Sequence, residues 1–189
     1  MNGSRVMNNP LEILQTLDRH LPEPAELTVF GRSALALGFP DSPPYYGATR
    51  DVDGIIPVTA EEPDADFWLA QQATNADLKP RELYITHLFS ELDVILEPDW
   101  QPRRVALDLP LAKLKVFRPA TIDLVLTKMA RGDEQDMEDI RFLLSREPIS
   151  PRELEAAFAR ARVPDVEEIR QLFVAAQPKV LKLAGDTLP

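Results

Sequence analysis

A chain of 189 residues suits one sizeable domain, or a core with a helical appendage, and 44% apolar content is ample for a buried interior. With no cysteine and only His20 and His87, disulfides and thiolate metal sites are excluded and zinc held by histidines is disfavoured. A net charge of −10 argues against nonspecific coating of nucleic acid, and no apolar run reaches membrane-spanning length. The opening residues, Met-Asn-Gly-Ser-Arg-Val, lack the apolar core of a signal peptide, so a cytoplasmic protein with no membrane partner is expected.

Asn9-Pro10 reads as a helix cap with proline at the first helical position, and Leu11, Leu14, Leu17 and Leu21 then recur at helical spacing. Pro22 and Pro24 stop that helix. A β-branched apolar strand over residues 26–30 runs into Gly31-Arg32-Ser33, and residues 33–37 suit a short helix. The loop 39–47 holds three prolines and the pair Tyr45-Tyr46; an ordered loop of this kind can stack on a base or simply cover surface.

A second apolar run, residues 52–58, opens with Asp51-Val52-Asp53. Strand side chains alternate, so both carboxylates face one side, roughly 6–7 Å apart along the backbone. Two carboxylates held side by side repel each other unless neutralised, and Mg²⁺ or Mn²⁺ prefers oxygen ligands of this kind. Residues 59–63 form an acidic connection, and Asp64 is a candidate cap for a helix reaching about Asp77.

Residues 83–89 and 92–97 read as two extended runs joined by a very short turn, which predicts an antiparallel hairpin. Asp93, framed by Leu92, Val94 and Ile95, would then lie on a strand beside Asp51 and Asp53, about 5 Å from its cross-strand neighbour. Glu91 and Glu97 are nearby alternatives. Residues 105–111 and 113–117 suggest two more short strands. From Thr121 onward the period turns helical: Ile122, Val125, Leu126 and Met129 share a face that ends at Gly132, and a second helix spans residues 134–146. Ser150-Pro151-Arg152-Glu153 is a capping box for a third helix, and Asp165-Val166-Glu167-Glu168 resembles one for a fourth.

Gly31-Arg32-Ser33 followed by Asp51-Val52-Asp53 and a later Asp93 resembles the signature of the polymerase-beta-type nucleotidyltransferase superfamily. The resemblance covers about two-thirds of the chain. It departs from the pattern at Arg32, where a small residue is usual, and in the interval from Ser33 to Asp51, lengthened by residues 40–47. The fold class implied is α/β (α+β), a nucleotidyltransferase-type mixed sheet with flanking helices in residues 1–118, followed by a helical region in 119–189. The resemblance further implies Asp51, Asp53 and Asp93 as catalytic carboxylates and ligands of Mg²⁺ (or Mn²⁺), with a nucleoside triphosphate as substrate. Gly31, Arg32 and Ser33 suit a phosphate grip, since a helix amino terminus offers free amides to anions; the alternative is a turn that needs glycine for geometry alone.

A second distinctive stretch, Lys128-Met129-Ala130-Arg131 through Asp136-Met137-Glu138-Asp139-Ile140, is similar to a pattern in bacterial nucleotidyltransferase-like proteins related to the AbiEii toxins. By that resemblance Lys128 contacts nucleotide phosphates and Asp139 completes the site. A Lys/Arg–Asp network bracing two helices gives the same sequence. From Gln101 to Gly132, Arg103, Arg104, Lys113, Lys115, Arg118, Lys128 and Arg131 face only Asp108 and Asp123, a local excess that suits a triphosphate or an RNA backbone as a group and a solvated face singly. Two functional classes follow. One is an active transferase, toxin-like, acting on tRNA or other RNA or on a protein and restrained by a cognate antitoxin protein. The other is a degenerate fold that binds a nucleotide or partner without turnover.

Overall fold

The computed structural model describes residues 8–56 and 65–187, apart from the side chain of His87. Val58, the acidic connection 59–63, the cap at Asp64 and the opening residues discussed above lie outside these. The chain divides into two compact units, Met1–Phe89 with Val105–Arg118, and Ser90–Arg104 with Pro119–Pro189.

The first unit opens with helix α1 (Asn9–His20). Asn8, one residue before the expected Asn9, is its cap, accepting from the Leu11 amide at 3.1 Å. Pro10 occupies the first turn, where no amide is needed, and Ile13, Leu14 and Leu17 are fully buried. The strands are β1 (Ala25–Phe30), β2 (Asp51–Ile56), β3 (Tyr84–Ser90), β4 (Val105–Leu107) and β5 (Leu114–Arg118), with helices α2 (Gly31–Gly38) and α3 (Ala65–Leu78) between them. Their sheet order is β3-β2-β1-β5-β4. β1 runs antiparallel to β2 and parallel to β5, and β4 returns antiparallel to β5, so the sheet is mixed as expected. Central β1 buries Leu27, Thr28 and Val29 in succession, the mark of a strand covered on both faces.

Side chains finish what the backbone ladder leaves open. Asn75 of α3 accepts from the Ile85 amide at 2.7 Å and donates to its carbonyl at 3.0 Å, while Gln71 donates to the Thr86 carbonyl at 2.6 Å. These amides supply edge strand β3 with the partners that another strand would have given. Asp18 of α1 accepts from the amides of Ala112, Lys113 and Leu114 at 2.7–3.1 Å, pinning the start of β5. Gly54 is required in β2 because a Cβ there would fall 2.7 Å from Leu88 and 2.8 Å from Leu27.

The second unit contains α4 (Thr121–Lys128), α5 (Glu134–Arg146), α6 (Pro151–Arg160) and α7 (Glu167–Thr187). Gly132, at φ +61°, makes the turn from α4 to α5, whose cap is Asp133 accepting from the Asp136 amide at 2.8 Å. The Ser150–Glu153 capping box forms as read. Asp165, read as the cap of the fourth helix, pairs with Arg170 at 2.5 Å. No helix among the described residues is long and apolar enough to cross a membrane.

One expectation is overturned. β3 forms, but residues 92–97 are not its hairpin partner: the Ser90 hydroxyl accepts from the Leu92 amide at 3.2 Å and caps a 3₁₀ turn, Glu91–Asp93. Val94, Ile95 and Leu96 then bury within the second unit, and Leu96 exchanges backbone hydrogen bonds with Arg162 at 2.8 and 3.4 Å. The apolar run marked burial rather than strand pairing with β3.

Candidate active site

The junction of β1, α2 and β2 brings Gly31 and Asp53 together. Phe30 and Asp53 are register partners in the antiparallel ladder, and Gly31 follows at φ +65° as the first residue of α2. A Cβ built on Gly31 would sit 3.4 Å from Asp53 Oδ2. The glycine takes a left-handed conformation costly to other residues, while toward the carboxylate a Cβ would make only ordinary van der Waals contact. Ser33 is buried, and its hydroxyl donates to the Phe30 carbonyl at 2.8 Å. That bond locks the strand-to-helix turn from inside, so any anion at this helix end meets backbone amides rather than the serine.

Asp51 and Asp53 flank buried Val52 and are themselves half-buried, as alternation on a strand requires. Each is held by a threonine. Thr49 donates to Asp51 Oδ1 at 2.8 Å, and Thr86 of β3 donates to Asp53 Oδ1 at 2.7 Å and reaches the Val52 carbonyl at 3.3 Å. Sequence reasoning missed both threonines. Thr86 is legible only once β3 is known to neighbour β2, because nothing in its local sequence separates it from any other strand threonine.

Arg32 points at the loop before β2. Its guanidinium lies 5.7 Å from the ring centre of Tyr46 and 5.9 Å from that of Tyr45, and the two rings are 4.5 Å apart. Tyr46 is fully buried, whereas Tyr45 is 53% exposed. The loop is ordered by successive turns, Tyr46 to the Pro43 carbonyl, Ala48 to Tyr45 and Thr49 to Tyr46, and by Asn9, whose amide donates to Gly47 at 2.8 Å.

The other expected site residues belong to the second unit. Asp93 lies exposed on the 3₁₀ turn beside a half-exposed Leu92, although Val94 and Ile95 after it are buried. From β3, the hydroxyl of Thr86 reaches Asp53. The alternatives Glu91 and Glu97 are buried in ion pairs, Glu91 with Arg162 at 2.8 Å and Glu97 with Arg103 at 2.5 Å and with Arg160, and the Trp100 indole also donates a hydrogen bond to Glu91. Lys128 and Asp139 do meet, at 2.6 Å, both buried, with Asp136 3.5 Å from the same ammonium. Arg131 forks onto Asp136 at 3.0 and 3.1 Å, and those bonds hold its pKa above the ordinary value. The cluster joins α4 to α5 across the Gly132 turn.

Most of the basic excess over residues 101–132 is likewise engaged within its own unit. Arg103 pairs with Glu97 and Asp123, Lys113 donates to the Leu21 carbonyl, and buried Arg118 lies 4.6 Å over Phe39. Lys115 remains exposed on β5.

Two half-buried carboxylates on one strand face, each with one oxygen fixed by a hydroxyl, fit the oxygen-donor set of Mg²⁺ or Mn²⁺. Among the described residues no group of three or more His, Cys, Asp or Glu side chains is placed to hold a metal ion. Comparison with known families gives one finding: the model of a family described as "Nucleotidyltransferase of unknown function (DUF6036)" matches residues 11–172. No curated protein and no solved structure matches.

Proposed function

The chain belongs to this nucleotidyltransferase family, and on that premise we propose that it moves a nucleotidyl group from a nucleoside triphosphate to a hydroxyl of RNA or protein. The acceptor oxygen attacks the α-phosphorus and pyrophosphate leaves. The observation that carries this reading is the approach of the Gly31 turn to Asp53, with Asp51 on the same strand face. Asp51 and Asp53 would hold Mg²⁺ or Mn²⁺, which when bound offsets phosphate charge. Backbone amides at the start of α2 face the phosphates, while Thr49 and Thr86 keep each carboxylate in one rotamer.

The finer reading is a toxin-like transferase acting on tRNA or another RNA and restrained by a cognate antitoxin protein in a bacterial cytoplasm. It is supported by the resemblance of residues 127–140 to AbiEii-related proteins. We do not assign Lys128 and Asp139 to the nucleotide, because their buried pairing already accounts for both. A second reading, nucleotide binding without turnover, is favoured by Asp93, the expected third carboxylate, which lies exposed on a 3₁₀ turn rather than on a strand.

Calorimetric titration of ATP, CTP, GTP and UTP with Mg²⁺ tests the site. At least one nucleotide is expected to bind the wild type and to lose at least tenfold in affinity in Asp51→Ala/Asp53→Ala. Equal binding by a folded double variant would overturn it.

A further inference from the structure

We propose that Tyr45, backed by Arg32 and Tyr46, is the stacking platform for the nucleobase of the bound nucleotide; this rests on the nucleotide reading given above. A loop residue in need of burial would have been placed as Tyr46 is, with no surface left open. Tyr45 instead keeps 53% of its surface exposed while its ring stays fixed at 4.5 Å from Tyr46, tilted by 58°. Arg32 fixes the pair from the helix side, its guanidinium 5.9 Å from the Tyr45 ring centre. Turns ending in hydrogen bonds to the Pro43, Tyr45 and Tyr46 carbonyls hold the backbone, so the ring is ordered before any ligand arrives. An aromatic ring fixed in advance binds a flat partner at small entropic cost.

Position gives the ring its role. Arg32 follows Gly31, the residue against Asp53, and Thr49, three residues after Tyr46, holds Asp51. The segment's carboxyl-terminal end is thus tied to Asp51 through Thr49, and its rings to the Gly31 turn through Arg32. A nucleotide with its phosphates at Asp51, Asp53 and the start of α2 has its base free to reach the loop. The chemistry recognised is a π-face rather than a hydrogen-bonding edge, so the platform favours the larger purine rings without excluding pyrimidines.

The test compares ATP with inorganic tripolyphosphate, which carries the phosphates and no base, by calorimetry in Mg²⁺ with wild type, Tyr45→Ala and Tyr45→Phe. Tyr45→Ala is expected to weaken ATP binding about 5- to 150-fold, the range for loss of one base–aromatic stack, and to leave tripolyphosphate unchanged. Tyr45→Phe, which retains the ring, is expected to stay within about twofold of wild type for both ligands. Undiminished ATP binding by Tyr45→Ala, or an equal loss for ATP and tripolyphosphate, overturns the platform and leaves the nucleotide site standing. A wild-type chain that binds neither ligand overturns the nucleotide reading and the platform together.

Discussion

At Gly31 the backbone and the candidate chemistry meet in a single residue. Its φ of +65° is strained for any residue with a Cβ, and such a Cβ would touch Asp53 Oδ2 at 3.4 Å. The contact is ordinary in distance, so backbone strain is the larger cost. Gly31→Ala is expected to lower unfolding free energy by about 1–2 kcal/mol in a denaturant titration. If the site works as proposed, the same substitution weakens nucleotide binding, because it shifts the amides at the start of α2 relative to Asp53. This residue-scale geometry was largely legible: a strand ending in glycine, a short helix, then Asp-x-Asp fixed the neighbourhood of Gly31 and Asp53 before any coordinates. The inward turn of Ser33 was not legible, since a serine after glycine reads equally well as an anion grip or as an internal lock. Only the 2.8 Å bond to Phe30 separates the two.

Among the elements, the helices followed their periodicity and the Ser150 capping box formed as read, and the disagreement concentrates on residues 91–97. The extended apolar run there matched a strand, but a strand also needs a partner in register, and pairing is a long-range property. The partner is Arg162, whose backbone bridges Leu96, so the chain turns away from β3 after Ser90. For Lys128 and Asp139 the sequence left two readings, nucleotide contact and brace, and their buried pairing at 2.6 Å supports the brace. Removing one member of a buried ion pair strands the other charge. Lys128 would keep Asp136 if Asp139 were removed, so the disruptive change is Lys128→Met, which takes the ammonium from buried Asp139. It is expected to cost about 3–5 kcal/mol, and Lys128→Met/Asp139→Leu to recover most of the loss, measured by chemical denaturation. A contact made only to nucleotide would give the opposite pattern, unchanged stability with weakened binding.

Across the whole chain, acidity expresses itself through two buried carboxylates with opposite shifts. Burial alone would raise the pKa of Asp18, but the amides of Ala112, Lys113 and Leu114, with the charge of Lys113, bring it below the ordinary value. Its folded form binds fewer protons than the unfolded chain, so its contribution is present above the unfolded pKa and is lost as pH falls through the folded one. Asp123 goes the other way. Burial pushes its carboxyl up to about 6, against the pull of the Glu97 amide and Arg103. The folded chain then holds a proton that the unfolded chain has released, so stability declines as pH rises from the ordinary carboxylate range to about 6. Asp123→Asn keeps an acceptor for the Glu97 amide and is expected to flatten that decline in melts between pH 4 and 7. The grouping of residues 90–104 with the helical unit and the internal use of the basic residues were hidden from a linear reading, because each depends on which distant segment supplies the partner. Net charge and composition bounded the class of protein; pairing decided where its charges went. The proposed transfer is tested most directly by incubating the chain with α-³²P-labelled nucleoside triphosphates, Mg²⁺ and a mixture of cellular RNA and protein, beside a folded Asp53→Ala variant. The account predicts label transferred by the wild type and abolished in the variant. Transfer by Asp53→Ala at the wild-type rate would contradict it.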